Sequence, residues 1–425
     1  MTQRLDRLFR LSENGTTGRT EVLAGFTTFL TMAYIIFVQP AVLSGRMFGM
    51  QTGMDLGAVT MATCLSAALA TALMGLHARY PIALAPGMGE NFFFVFTICG
   101  AAAAAGFPEP WRVALGVVFI SGLLFLLLYA LGIRERIFDA LSPSLKNGIA
   151  AGIGLFIAFI GLQNAGVIVH SPGTLVTLNT RFASPDLLLF GLGLLLTLSL
   201  LARGVRGAIL WGILAATAAA LLLRWLLTHA PALAGTKAVA ESKLMTQFAP
   251  SASLVSLPPS MGPTFLKMDL VHALKAVMWP FILIILFMDV FDTVGTLVGV
   301  GEQAGFIKDN RLPRVKQAML ADSAGTVVGA LFGTSTVTSF IESAAGVEAG
   351  GRTGLTALTT AACFLIAPFF APLIATVGSY PPITAPALVV VGAMMVRNVH
   401  KIDWSDFSEL APAFLVMIGI PLCYS

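Results

Sequence analysis

The chain is 425 residues long, 57% of them apolar and only 11% charged, against about a quarter charged in an ordinary soluble domain. That composition excludes a soluble enzyme, and the many long uncharged runs, such as 116–133 and 187–202, exclude a soluble domain on a single anchor. The formal net charge of +4 comes from loop lysines and arginines, which membrane orientation explains without a nucleic-acid partner.

Taken in chain order, the first twenty residues are basic but lack an apolar core and a small-residue cleavage site. They read as a retained cytoplasmic segment rather than a signal peptide. Apolar runs then predict spans at 22–45, 56–77, 83–98, 111–132, 145–166, 186–203 and 207–228. After a long polar interval from Thr228 to Asp269, further spans are predicted at 271–300, 315–332, 335–350, 353–376, 383–396 and 408–425. With the N-terminus inside, Arg4, Arg7, Arg10, Arg79, Arg134, Arg136, Lys146, Arg203, Arg206, Arg314, Lys316 and Arg352 all fall on the cytoplasmic side, as positive residues should. The prediction is therefore a multi-pass protein of the inner, cytoplasmic membrane.

Two spans differ from the rest. The third, "PIALAPGMGENFFFVFTI", and the tenth, "GTSTVTSFIESAAGV", are short, interrupted by Gly or Pro and polar in the middle. They lie seven spans apart, and an odd offset gives two halves of opposite topology. Paired broken segments in corresponding positions point to a transport site at an inverted-repeat interface. The second repeat ends after six spans, which leaves a fourteenth helix missing from the expected set. Within "TSTVTS", β-branched and hydroxyl residues alternate as in a short extended segment. Such backbone is tolerated at membrane depth only where protein or a cavity covers it. A half-helix beginning near Ile341 would then aim its amides into that cavity.

Ionisable groups inside hydrocarbon cost at least about 2.5 kcal/mol each at a helix centre, so the few present require a role. They are Glu90 in the third span, Asp289 and Asp292 in the eighth, Asp322 in the ninth and Glu342 in the tenth. Asp289 and Asp292 are three apart and share a helix face. Two carboxyl groups so placed in an apolar medium resist ionising together, which suits a proton carrier. Phe92, Phe93 and Phe94 follow the third-span break, and one of these rings could stack on a flat heteroaromatic ligand. The rest is weaker. Cys64, Cys99, Cys363 and Cys423 show no C-x-x-C spacing, so neither a disulfide framework nor a metal or cofactor site is indicated. The histidines sit at span ends or in loops, against a histidine relay. Gly295/Gly299, Gly325/Gly329 and Gly148/Gly152 are spaced for close helix packing.

The segments "NGTTGRTEVLAGFTTFLTMAYIIFVQP", "YPIALAPGMGENFFF", "DVFDTVGTLVGV", "RLPRVKQAMLADSAGTVVGALFGTSTVTSFIESAAGVEAGGRTGLTA" and "IDWSDFSELAPAFL" resemble the AzgA-like adenine/guanine/hypoxanthine permeases, a branch of the xanthine/uracil permease and nucleobase-ascorbate transporter superfamily. The resemblance covers essentially the whole chain. It implies an all-α polytopic fold of two inverted seven-helix repeats, with short β-strands in broken spans 3 and 10. It further implies a core domain at 21–133 and 271–377, a gate domain at 134–229 and 378–425, and an outer loop at 230–270. Proton symport of purine bases by an elevator-type homodimer in the lipid bilayer is the implied activity, with a proton rather than sodium as the coupling ion. By motif, Glu342, Asp292 and Asn91 are the implied substrate contacts, joined by Thr338, Ser339, Phe340, Phe93 and Glu90. Asp292, Asp289 and Glu342 are the candidates for proton coupling. Glu90 stands where the family usually carries an apolar residue.

Two rival classes are set against this reading. An anion exchanger of the same fold would favour a neutral or basic site, which an acidic cluster opposes. A membrane enzyme would show a nucleophile or metal set, and neither H-E-x-x-H nor G-x-S-x-G occurs.

Overall fold

The structure is a computed structural model and describes residues 6, 8–131, 142–182, 184–229, 237–307 and 312–423. The predicted domain boundary at 133/134 and the predicted start of the outer loop at 230 lie outside the described residues. The chain is overwhelmingly helical. Among the described residues, nine helices are long and apolar enough to cross a membrane by length and composition, and each predicted span carries a helix.

The helices are α1 Gly18–Met32, α2 Ile35–Leu43, α3 Leu56–Leu73, α4 Met88–Phe92, α5 Pro110–Leu131, α6 Pro143–Asn164, α7 Pro185–Ala202 and α8 Ala208–His229. The second set is α9 Trp279–Gln303, α10 Val315–Phe332, α11 Ser343–Glu348, α12 Gly354–Ile366, α13 Pro381–Val396 and α14 Phe407–Cys423. Among the described residues four short strands are present: β1 Leu84–Pro86, β2 Ile168–Ser171, β3 Leu175–Leu178 and β4 Val337–Ser339. Local chemistry explains the starts. Thr17, Asp55, Ser142 and Thr353 each accept a bond from a backbone N–H of the first turn that follows, and proline occupies the first turn of α6, α7 and α13.

The described chain forms two compact units. The first takes Met1–Ser44, Gln51–Leu141 and Leu257–Ala371 and holds α1 to α5, α9 to α12 and the β1–β4 pair. In it α12 packs on α1 and α3, α10 on α3 and α5, and α9 on α5. Small residues permit these approaches: a Cβ at Gly354 would collide with the backbone of Gly75, and one at Gly346 with Thr28. The second unit takes Ser142–Ser256 and Pro372–Ser425 together with the short stretch Gly45–Met50. There α6 lies against α13 and α14, α7 and α8 pack on each other and on α13, and β2 and β3 form an antiparallel hairpin. On α7, Leu188, Leu192 and Leu195 point outward at the spacing of one helix face.

Three details depart from the sequence reading. The first span is not one continuous helix: at Ala33 and Tyr34 the ladder tightens, with Ile36 N–H bonding Ala33 O and Phe37 N–H bonding Tyr34 O, a 3₁₀-type turn. The half-helix of the tenth span begins at Ser343 rather than near Ile341. Gly325/Gly329 and Gly148/Gly152 do face close neighbours, but a Cβ at Gly295 would meet open space, so the Gly295/Gly299 pair is no packing seam.

Candidate functional site

The site grows out of the first unit, where the two broken segments meet. β1 and β4 pair antiparallel with Leu84 opposite Ser339, Ala85 opposite Thr338 and Pro86 opposite Val337. The pairing continues beyond the strands. Phe340 N–H donates to Ala83 O at 3.0 Å, and Gly87 N–H donates to Thr336 O at 3.0 Å. A two-stranded ribbon leaves one edge of each strand unpaired, and a threonine closes each. The Thr71 hydroxyl accepts from Leu84 N–H at 2.8 Å and donates to Leu84 O at 2.9 Å. Thr326 likewise accepts from Val337 N–H at 3.1 Å, and its one proton is shared between Val337 O at 3.2 Å and Asp289 Oδ2 at 2.9 Å. No buried backbone group of these strand starts is thereby left without a partner, as hydrocarbon depth demands.

Each strand leads into a half-helix, β1 into α4 through Gly87 and β4 into α11 through Glu342. A Cβ at Gly87 would strike the Glu90 carboxylate and press on Thr338, so a larger residue there would displace Glu90 where the two segments cross.

Five carboxylates converge on this crossing, and burial divides them. Glu90 is 2% exposed, and Asp289 and Asp322 are fully buried. Asp292 and Glu342 are half-buried and so keep open surface. Glu90 lies within electrostatic reach of Asp292 and Asp289, and Asp292 of Glu342. Asp289 accepts from Thr326 Oγ1 at 2.9 Å and Asp322 from Ser339 Oγ at 3.3 Å. Asp289 Oδ1 and Asp322 Oδ2 have no hydrogen-bond partner among the described residues. Thr338 bonds Asp292 and shares a 2.8 Å hydroxyl contact with Thr293. Asp289 and Asp292 occupy one helix, but Asp289 is turned into the packed interior while Asp292 stays at the opening.

Of the predicted substrate residues, Asn91, Phe340, Thr338, Ser339, Phe93 and Glu90 are all buried, at 5% exposure or less. Asn91 is spent on the protein itself. Its amide donates to Gln39 Oε1 and accepts from Ser335 Oγ, while Gln39 donates to Thr334 Oγ1 at 2.8 Å and Ser335 Oγ at 3.1 Å. The Phe93 ring packs against Phe281 at 6.3 Å between centroids.

Three residues that contact the predicted site residues escaped the sequence reading, and all lie in the first span. Tyr34 O–H donates to Glu342 Oε1 at 2.8 Å, and Thr31 Oγ1 donates to Glu342 O at 3.3 Å. Gln39 organises the Asn91 network. A glutamine alone in "YIIFVQPAVL" was the available signal, since an amide in hydrocarbon needs a partner. A fourth missed residue, Glu21, is fully buried and clamps the start of α12. It accepts from Arg352 N–H at 2.9 Å, Thr353 Oγ1 at 2.8 Å and Thr356 Oγ1 at 2.6 Å.

Chemically, the crossing places two half-buried carboxyl groups, Asp292 and Glu342, within electrostatic reach of each other.

Comparison with known proteins follows the same line. The family model Xan_ur_permease, described as a permease family, matches residues 19–424. The chain is 46% identical to the putative permease MJ0326 of Methanocaldococcus jannaschii, over 99% of this chain and 88% of that one. It is 43% identical to the guanine/hypoxanthine permease PbuG of Bacillus subtilis, covering 98% and 89%. It is 39% identical to the adenine permease AdeP of Escherichia coli, covering 99% and 86%. Among solved structures, the transmembrane domain of the cyanobacterial bicarbonate transporter BicA aligns with a TM-score of 0.65 at 14% identity, covering 96% and 94%. SLC26A9 aligns at 0.60 and 11% identity, covering 94% and 62%. At these identities the likeness is one of fold.

Proposed function

This chain belongs to the Xan_ur_permease family of permeases, and on that premise we propose that it is a proton-coupled importer of purine nucleobases in the inner membrane. The carrying observation is the half-buried pair Glu342 and Asp292 at the crossing of two broken segments. Relatives named as guanine/hypoxanthine and adenine permeases support a purine as the substrate class, with hypoxanthine, guanine and adenine as the candidates.

In this mechanism the ionised Glu342 accepts hydrogen bonds from ring N–H groups of the base. Asp292 takes up a proton from the outer side and donates it in a hydrogen bond to an acceptor on the same base edge. Asp289, buried behind it on α9 and bonded to Thr326, is the second proton-holding carboxyl. Thr338, Ser339 and Phe340 shape the wall from β4, while Asn91, Phe93 and Glu90 support it from the third segment. The first unit acts as the substrate-carrying core and the second as the gate of an elevator-type homodimer, with the N-terminus in the cytoplasm. The same site chemistry in a xanthine or uracil carrier is the alternative. An anion carrier is disfavoured by the five carboxylates.

Uptake of radiolabelled hypoxanthine into inverted or reconstituted vesicles under an imposed proton gradient tests the reading. Transport should disappear in Glu342→Gln and in Asp292→Asn. Full transport retained in both variants overturns the assignment, and uptake that follows a sodium gradient instead replaces the coupling ion.

A further inference from the structure

Glu342 is not a free carboxylate. Tyr34 is 1% exposed, sits at the 3₁₀-type turn that interrupts the first span, and donates its phenolic hydrogen to Glu342 Oε1 at 2.8 Å. Thr31, one turn earlier, holds the backbone carbonyl of the same residue at 3.3 Å. The first span thus fixes one side-chain oxygen of Glu342 through Tyr34, while the single Thr31 proton is shared with Thr28 O at 2.8 Å. A tyrosine so buried has two torsions and little freedom, and an ionised carboxylate can only accept, so the bond has one direction. An O–H to carboxylate bond is among the stronger hydrogen bonds a protein makes.

This has a consequence for what Glu342 can recognise. A carboxylate with both oxygens open accepts two parallel N–H donors at once. Guanine presents such a pair, its ring N1–H and the neighbouring 2-amino group. Hypoxanthine presents only N1–H on that edge. With Oε1 already accepting from Tyr34, the second donor of guanine must share that oxygen and finds in it a weaker acceptor. Resting on the reading of Glu342 as the base anchor, we propose that Tyr34 is a specificity-determining residue. It leaves Glu342 one unshared acceptor oxygen and one shared with the phenol, so that the 2-amino group of a purine gains a weakened bond there. The residue sets the ratio of guanine to hypoxanthine affinity rather than the ability to bind purines at all.

The test is calorimetric titration of the purified full chain with guanine and with hypoxanthine. In the wild type the two affinities should lie within about fivefold of each other. In Tyr34→Phe, which keeps the ring and removes only the donor, guanine should gain about tenfold over hypoxanthine, the factor that one additional hydrogen bond of ordinary strength supplies. An unchanged ratio in Tyr34→Phe overturns the proposal, as does wild-type guanine affinity more than fivefold above that of hypoxanthine. The wild-type measurement stands even if the variant fails to fold. Glu342→Gln separates the two readings. If it binds both bases like the wild type, the base-anchor reading falls. If it loses both while Tyr34→Phe leaves the ratio untouched, only the role of Tyr34 falls.

Discussion

Thr71 and Leu84 form a two-way bond, the threonine hydroxyl accepting from the leucine N–H at 2.8 Å and donating to its carbonyl at 2.9 Å. Thr326 and Val337 repeat the arrangement in the second half of the chain. Both strands begin at fully buried residues, so a side chain must finish what a third strand would do in a larger sheet. The repetition ties the two halves to one design, helix hydroxyl against strand edge.

Replacing either threonine by valine keeps the volume and removes the bond. A buried N–H and C=O left unpaired cost about 1–3 kcal/mol. Thr71→Val should lower the unfolding midpoint in detergent by that order. Thr326→Val should cost more, because Thr326 also bonds Asp289 Oδ2 at 2.9 Å. Equal midpoints for both variants and the wild type would refute this account of the strand edges.

Glu21 gives a second prediction. Its carboxylate serves the Arg352 amide and the Thr353 and Thr356 hydroxyls at the start of α12, and it ties α1 to that start. Glu21→Ala leaves several donors buried without partners, and the sum of such penalties exceeds about 3 kcal/mol. Glu21→Gln keeps one acceptor oxygen and should lose distinctly less. The comparison is read from thermal unfolding of both variants side by side.

Glycine spacing separates two positions that look alike in the sequence. Gly354 faces the Gly75 backbone, whereas Gly295 faces open space within α9. Gly354→Ala should fail to give folded protein, since backbone cannot yield as a flexible side chain can. Gly295→Ala should be neutral to stabilising by about 0.5–1 kcal/mol, the helix advantage of alanine. Size-exclusion profile and unfolding midpoint report both.

The polar cap before α9 supplies a pH dependence. Burial works to raise the Asp269 carboxyl, but the backbone N–H of His272, its ring at 2.7 Å and the Val271 N–H together hold it below the usual value. A carboxyl depressed in the folded state adds stability that is fully present above its unfolded value, about 3.9. That contribution fades as pH falls through the lower folded value. The midpoint difference between wild type and Asp269→Asn should hence be present at about pH 5 and shrink below about pH 4. A difference that grows on acidification contradicts the assignment.

Much of this protein was legible in one dimension. Apolar runs located the nine helices long and apolar enough to cross a membrane among the described residues, because the bilayer makes length and polarity the governing quantities. The polar interruptions in the third and tenth spans marked the crossing, and alternation in "TSTVTS" gave the strand at Val337–Ser339. The five carboxylates stood out for their cost in lipid. What composition could not supply was the side each residue faces. Asp289 and Asp292 are three residues apart, yet one is buried and the other half-open, a difference fixed only by what packs against α9. The partners were beyond reach for the same reason. Tyr34 meets Glu342 across 308 positions and Gln39 meets Thr334 across 295, and hydrophobic periodicity carries no information over such separations. The sequence by itself determined which segments are apolar enough to form helices of membrane-crossing length and which polar groups they carry. Only the tertiary structure decided which of those groups satisfy one another and which remain open to a ligand, because a hydrogen bond depends on atoms meeting within about 3 Å.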